Sequence, residues 1–600
     1  MIKLFKRMKN SDKAMLLSSV IFIVLQVYFD MRIPELLSAA LKVANNEELS
    51  LEEGASQIRS VAAIMAGYVC VSFLLSAVSS MIIAWAVMSF VTGIRRDIFH
   101  KVQLLSIPDV DGFTVSGLIT RSTSDVMNVQ TFILIGFQAI IKAPVISVWA
   151  LAKIGAYGRS WQLTVIIGIA FVVLLIAAAI IIEAPQIRKA QKNKDSLNKS
   201  VMEKLGGVDV VRAYNAQGHL RSKFEGINKK LTKAMTISQL PSAVVIPGIN
   251  LVLYVVTIVI YILAVYQINS GYVENQLDVV TDIVAFIPYT AQLLLAFIFV
   301  VQVMMLYQGA RVSSSRIAEV LDSRISVEDT GSDNTRADDN DETPALEFRD
   351  VSFGYNNPEN CFLNNISFKC SKGSTTAIIG AIGSGKTTII DLLMRFYDVN
   401  KGEILLGGVN IKDYSLHELR DQISLTAQKA LLFTGSIEEN VRLGNNGNDS
   451  PYDLEKTCEI AGAAEFIEGQ EEQYQAPVLK RGTNFSGGQR QRLSIARCLS
   501  KPCKVMIFDD SFSALDYKTE KKVRKMIMEK FSGVTKIIVS QRISTIVDAD
   551  QILVMNNGAI VGCGSHEMLL ETCRDYQEIY ASQHKDDDIA SGSVKEESYA

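Results

Sequence analysis

The residues with the clearest chemical meaning lie in GAIGSGKTT, 380–388, between a strand-like STTAIIG and a helix-like TIIDLLMRF. Gly380, Gly383 and Gly385 let the backbone curl so that its amides point at phosphate oxygens. Ala381, Ile382, Ser384 and Thr388 complete the same cradle. Lys386 reaches the outer phosphates, and the Thr387 hydroxyl can ligate a divalent cation. A phosphate loop in this strand–loop–helix context predicts nucleotide binding. A second stretch, VMIFDDSFSALD at 505–516, is an apolar run ending in acid. It reads as a buried strand that delivers Asp509 and Asp510 to the same phosphates. A general base must stand within hydrogen-bond reach of its water. Asp510 is one methylene shorter than a Glu would be, about 1.5 Å from standard bond lengths.

The elements that carry these groups occupy only half of the chain. At 600 residues, two or more domains are expected. A net charge of −3 and a pI near 6.1 give no reason to expect nucleic acid as a partner. A mean hydropathy of +0.21 with 20% charged residues is high for a soluble protein, and the excess sits in the first half. Residues 60–94, 161–182, 234–273 and 283–310 carry no charge. Spans near 14–33 and 131–157 are apolar around isolated charges, Asp30, Arg32, Lys142 and Lys153. About 20 helical residues cross a bilayer core of roughly 30 Å. Six transmembrane helices are therefore expected, at about 14–33, 61–91, 131–157, 161–184, 242–266 and 282–307. Basic residues fill the N-terminus and the connections after the second and fourth spans. Acidic residues fill the first and fifth loops. That bias puts the N-terminus and the second half of the chain in the cytoplasm. Of eight cysteines, seven follow residue 360 without metal-ligand spacing, which suits a reduced compartment.

The connections 92–130 and 185–241 are polar, periodic and far too long for simple loops, so the helices should continue into the cytoplasm. Residues 1–13 read as a basic amphipathic elbow on the inner leaflet, and 14–321 as the membrane domain. Residues 322–345 are an acidic, flexible linker. Residues 346–583 form a soluble α/β domain, and 584–600 a tail without structure.

Further motifs carry a resemblance that covers nearly the whole chain. NFSGGQRQRLSIAR, ISLTAQKALLFTGSIEENV, VSFGY and SALD, together with the phosphate loop, resemble exporter-type ATP-binding cassette (ABC) half-transporters. The resemblance implies a six-helix membrane domain followed by a P-loop nucleotide-binding domain. In that family Tyr355 would stack on adenine, and Gln428 and Asp509 would join Thr387 around Mg²⁺. Ser486, Gly487, Gly488 and Gln489 would be the signature that contacts a partner's ATP, and Asp516 the D-loop acid. Three positions depart from the family pattern. Asp510 stands where a catalytic Glu is usual, and Gln541 in KIIVSQRISTIVDAD stands where a switch His is usual. Lys480 replaces an acid ahead of the signature. A Gln can hydrogen-bond a γ-phosphate but lacks the imidazole's charge.

The first two departures strike the same phosphates, and the chain resembles the degenerate-site subunit of bacterial heterodimeric multidrug exporters. That implies a second, non-identical half-transporter with the Glu and the His, and ATP-driven export of amphipathic drugs or lipids across the plasma membrane. Import of a metal–chelate and a non-transporting ATP-binding subunit are the alternatives. EKLGGVDVVRAYNAQ resembles the intracellular loop whose tip, near Tyr214 and Asn215, docks on the partner. Asp30 and Lys142 are candidates for the substrate path, because charge in a membrane is costly unless used. Phe286, Tyr289, Phe297 and Phe299 either line an apolar pocket or pack.

Overall fold

The computed structural model describes residues 2–45, 50–269, 276–329, 343–355, 361–445 and 453–590. The chain divides into two units, residues 1–103 with 114–323, and residues 104–113 with 324–600.

The first unit is helical. It starts with α1 (Ile2–Lys6), shorter than the expected elbow, then α2 (Asn10–Ala44) and α3 (Leu51–Leu104). After α4 (Ile107–Phe113), which belongs to the second unit, come α5 (Val115–Ser122), α6 (Ser124–Ile154) and α7 (Arg159–Gly206). The series closes with α8 (Val208–Ala213), α9 (Gln217–Asn269) and α10 (Gln276–Leu321). Six of these helical segments are long and apolar enough to cross a membrane. They outrun the bilayer: the 48 residues of α7 rise about 72 Å against a core of roughly 30 Å. Much of each polar connection is thus a continuation of the flanking long helices, with the short α4, α5 and α8 between them.

α6 lies along α10, α7 lies along α9, and α2 packs on both α6 and α10. Small residues set the α7–α9 approach: a Cβ on Gly168 would stand 2.9 Å from Val256 Cγ2, and one on Gly248 3.1 Å from Leu175 Cδ2. Close backbone approach is the main source of helix association in lipid. Two buried acids accept from hydroxyls across helices. Ser313 Oγ donates to Asp125 at 2.6 Å between α10 and α6, and Ser89 Oγ to Asp12 at 3.2 Å between α3 and α2. Phe286 and Tyr289 are fully buried; Phe286 sits edge-on to Trp161 at 5.1 Å, and the Tyr289 hydroxyl donates to Met31 O at 2.9 Å. These two aromatics pack.

The second unit is α/β. A four-stranded antiparallel layer has the order Leu363–Cys370, Leu346–Phe353, Lys401–Leu406, Val409–Asn410. A six-stranded sheet runs Ala559–Gly564, Gln551–Asn556, Thr375–Gly380, Thr535–Val539, Val505–Asp509, Ile423–Thr426. All its neighbours are parallel except the first pair. Strands such as Val505–Asp509 are buried at every position, because helices cover both faces of a parallel sheet. Register brings the carboxyl ends level: Val539 pairs with Asp509 and Ile378, and Phe508 with Thr426. Ligands of such sheets bind beyond these ends.

Two expectations need correction. The start of the acidic stretch is tied down, because its polar groups find partners on the second unit. Ser326 N donates to Asp109 at 3.0 Å, Leu416 N to Asp329 at 2.9 Å, and Arg395 to Glu328 O at 3.0 Å. Residues 330–342 lie outside the described residues. The last helix, Arg574–Ala590, enters the stretch expected to be an unstructured tail, continuing the helix that packs on Ala559–Gly564; 591–600 lie outside the described residues.

Candidate nucleotide site

The phosphate loop leaves the carboxyl end of Thr375–Gly380 and turns into α11 (Lys386–Leu393). Two glycines are required by shape. A Cβ on Gly380 would stand 2.2 Å from Met555 O, and Gly385 caps α11 at φ +105, where its Cβ would meet Leu363 Cδ2 at 2.5 Å. Lys386 is buried under the loop and donates to Gly380 O and Ala381 O, both at 2.8 Å. Burial depresses its affinity for a proton, and the charges of Asp509 and Asp510 oppose that.

A cavity of about 190 Å³ opens over the loop. Ile382, Gly383, Gly385, Lys386, Thr387 and Thr388 line one side, and Gln428, Asp509, Asp510, Ser540 and Gln541 the other. The cavity is smaller than the roughly 300–1,000 Å³ of pockets that enclose a whole ligand, which fits the phosphate end of a nucleotide. Among the residues lining it there is no Glu and no His. Asp509 is buried, and its pKa is pushed up to about 6 by burial and then by the Asp510 charge, against a hydrogen bond from Thr387 and the charge of Lys386. Asp510 follows with φ +46, its amide donating to Val539 O at 2.9 Å. Thr387, Gln428 and Asp509 present a hydroxyl, an amide and a carboxylate to one space, the hard oxygen set that suits Mg²⁺.

Tyr355 lies outside this cavity lining; Phe362 lines it instead. The Tyr355 hydroxyl and Thr388 Oγ1 are hydrogen-bonded at 2.8 Å, and its ring meets Phe353 at 5.0 Å and Tyr397 at 5.2 Å. Sequence reasoning missed two groups. Asp391, one turn into α11, is pushed up to about 6 by burial and by the Asp509 charge. Gln583, on the last helix, brackets the switch: its Nε2 donates to Gln541 O at 2.6 Å, and its Oε1 accepts from Ile543 N at 2.8 Å. Asp391 lies five residues beyond Lys386 in a helix with an apolar face, a spacing that marks it; nothing local marks Gln583.

The signature residues stand apart from this cavity. Ser486 caps the helix Gly487–Ser500 in a reciprocal box: Gln489 N donates to Ser486 Oγ at 3.2 Å, and Ser486 N to Gln489 Oε1 at 2.9 Å. Gly488 passes Ala514 O so closely that a Cβ would be 3.1 Å away. Asp516 caps Tyr517–Lys530, accepting from Thr519 N at 3.0 Å, and that bond holds its carboxyl below the usual range. In the first unit Ser72 donates to Asp30, and Gln26 donates to it at 3.4 Å. Lys142 lies within reach of the Asp30 charge, with no direct ion pair between them among the described residues. Tyr214 is 81% exposed at the end of α8.

Residues 15–297 match the family model for the ABC transporter transmembrane region, and residues 363–513 match that for the ABC transporter. A putative ABC transporter ATP-binding protein of Mycoplasma genitalium is 31% identical over 96% of this chain and 97% of its own length. An ATP-dependent lipid A-core flippase of Photobacterium profundum is 29% identical over 85% of each chain. The solved structure of a bacterial Atm1-family ABC exporter with ATP bound shares the fold, with a TM-score of 0.80 at 22% identity, covering 95% of this chain and 99% of that one. The chain belongs to the ABC transporters and is a half-transporter of exporter fold, a multi-pass membrane domain and an α/β nucleotide-binding domain in one polypeptide.

Proposed function

We propose that this chain is one half of an asymmetric heterodimeric exporter of amphipathic compounds, drugs or lipids, in the plasma membrane with its nucleotide-binding domain in the cytoplasm. One observation carries the asymmetry: the phosphate cavity holds Asp510 and Gln541 and neither a Glu nor a His. Lys386 and the amino end of α11 hold the β- and γ-phosphates of ATP. Thr387, Asp509 and Gln428 hold Mg²⁺, which neutralises charge on the phosphates. The Asp510 carboxylate falls about 1.5 Å short of where a Glu would orient water. Gln541 offers the γ-phosphate an amide without charge. ATP bound here therefore persists and holds two cassettes together. The signature from Ser486 to Gln489, an intact capped helix terminus, completes a second site on the partner's phosphate loop, where the partner's Glu and His carry the turnover. The likeness to a lipid A-core flippase supports an amphipathic cargo.

The test is steady-state ATP hydrolysis by the purified chain in lipid, alone and with a half-transporter bearing the Glu and His. The chain alone is expected to run at least about tenfold slower than the pair, a small part of what a positioned base supplies. Asp510→Ala leaves the pair's rate within about twofold, whereas changing the partner's Glu abolishes it. Brisk turnover by the chain alone contradicts the proposal.

A further inference from the structure

A cavity of about 500 Å³ lies in the second unit, at the other end of the sheet from the phosphate cavity. Thr375 and Lys536 line it, and they pair at the amino ends of Thr375–Gly380 and Thr535–Val539. Lys536 stands about 10 Å along its strand from Val539, which borders the phosphate cavity. The second half of the helix Tyr517–Lys530 forms one wall, and the chain from Thr545 to Asp550 another. Four basic and three acidic side chains face this space, and their partners are unevenly shared. Asp548 accepts from Arg524 at 3.2 Å, Glu529 stands 3.8 Å from Lys525, and Asp550 accepts from Thr375 N at 2.7 Å. Each acid is therefore engaged. Among the described residues, neither Lys521 nor Lys536 forms an ion pair. Lys536 is only 2% exposed, and the one acceptor its ammonium meets there is Val534 O at 2.8 Å. Burial depresses its affinity for a proton, against the pull of the Asp550 charge. An ammonium has three donors, and one buried without a counter-charge is costly.

We propose that this cavity binds a small organic phosphate, its anionic head held by the Lys536 and Lys521 ammoniums and its carbon body by Met528, Ile538 and Ala549. A phosphate monoester carries a charge of about −1.5 to −2 and several strong acceptors, which suits two unmatched point charges better than a carboxylate does. A cationic ligand would find no unengaged carboxylate here. The volume falls within the roughly 300–1,000 Å³ of pockets that enclose a whole small molecule. Such a site is distinct from the phosphate loop and from any transported cargo.

The experiment is equilibrium dialysis of radiolabelled phenyl phosphate against the full-length chain in nanodiscs, corrected with protein-free discs. The chain carries Lys386→Met, so that the phosphate loop does not compete for the probe. One saturable site per chain is expected. Inorganic phosphate and benzyl alcohol, each lacking one half of the ligand, should compete at least about tenfold more weakly. Lys536→Met keeps the length of the stem and removes the buried charge, and should weaken binding by at least about tenfold, the scale of one charged hydrogen-bond partner. Lys521→Gln, at an exposed position where folding is not at stake, should weaken it about threefold. Lys522→Gln, equally exposed but outside the cavity lining, should leave it unchanged. Absence of saturable binding, or inorganic phosphate or benzyl alcohol binding as tightly as the probe, overturns the proposal. So does an affinity that survives Lys536→Met and Lys521→Gln, or one that Lys522→Gln lowers as much as Lys521→Gln.

Discussion

Asp510 and Asp509 are neighbours with opposite problems. The left-handed φ of Asp510 is a conformation that Asp tolerates better than most side chains, at a cost of about 1 kcal/mol. On the proposed reading, what it lacks is reach. Asp510→Glu, combined with Gln541→His, should raise phosphate release at this chain's own site by at least about tenfold, as read by single-turnover hydrolysis with the partner's Glu removed. No gain would show that reach is not what limits this site. Asp509 has the reverse constraint, since burial pushes it up to about 6 and a cation needs its carboxylate form. Asp391, raised to about 6 by burial and by the Asp509 charge, titrates with it. Raised carboxylates take up protons as the pH falls through 6. The Mg²⁺-dependent part of ATP affinity should thus hold between pH 7 and 8 and fall by about tenfold per unit below 6, measured with a fluorescent ATP analogue at fixed Mg²⁺. A flat profile would remove Asp509 from the cation's ligands.

At the scale of elements, the switch loop is held from outside the sheet. Gln583 spans it through Gln541 O and Ile543 N. Gln583→Ala should speed ATP dissociation from this site severalfold and cost the domain about 1–2 kcal/mol of stability for two lost hydrogen bonds. Stopped-flow displacement and thermal unfolding read the two effects, and unchanged dissociation would make the clamp purely structural. This contact also shows where sequence stops being legible. The strand ends that bear Gly380 and Asp509 were readable because a buried parallel strand is a continuous apolar run, and its boundary is the chemistry. The six spans were readable for the same reason. Hydropathy marks only the part in lipid; that α3 runs past residue 94 was readable from its long polar connection, but its stop at Leu104 was not. Gln583 owes its place to contacts far along the chain, which no local period records. Ser326, Glu328 and Asp329 read as solvent because each is polar, yet Asp109, Arg395 and the Leu416 amide give them partners.

The whole molecule presents more apolar surface than a soluble chain tolerates. Phe73, Trp85, Leu174 and Ile181 are each more than three-fifths exposed on α3 and α7, where lipid or a second subunit must cover them. The phosphate loop and the signature likewise face different spaces of one chain, and on the proposed reading each is completed by a second cassette. The account then hangs on what stays bound at Lys386. The most direct measurement is the chemical state of the nucleotide retained by this chain in the working pair, by photo-crosslinking an azido-ATP labelled at the α-phosphate during steady turnover and identifying the adduct on each chain. The account predicts intact triphosphate on this chain through many turnovers, with diphosphate accumulating only on the partner. Diphosphate appearing on this chain at the same rate as on its partner would contradict it.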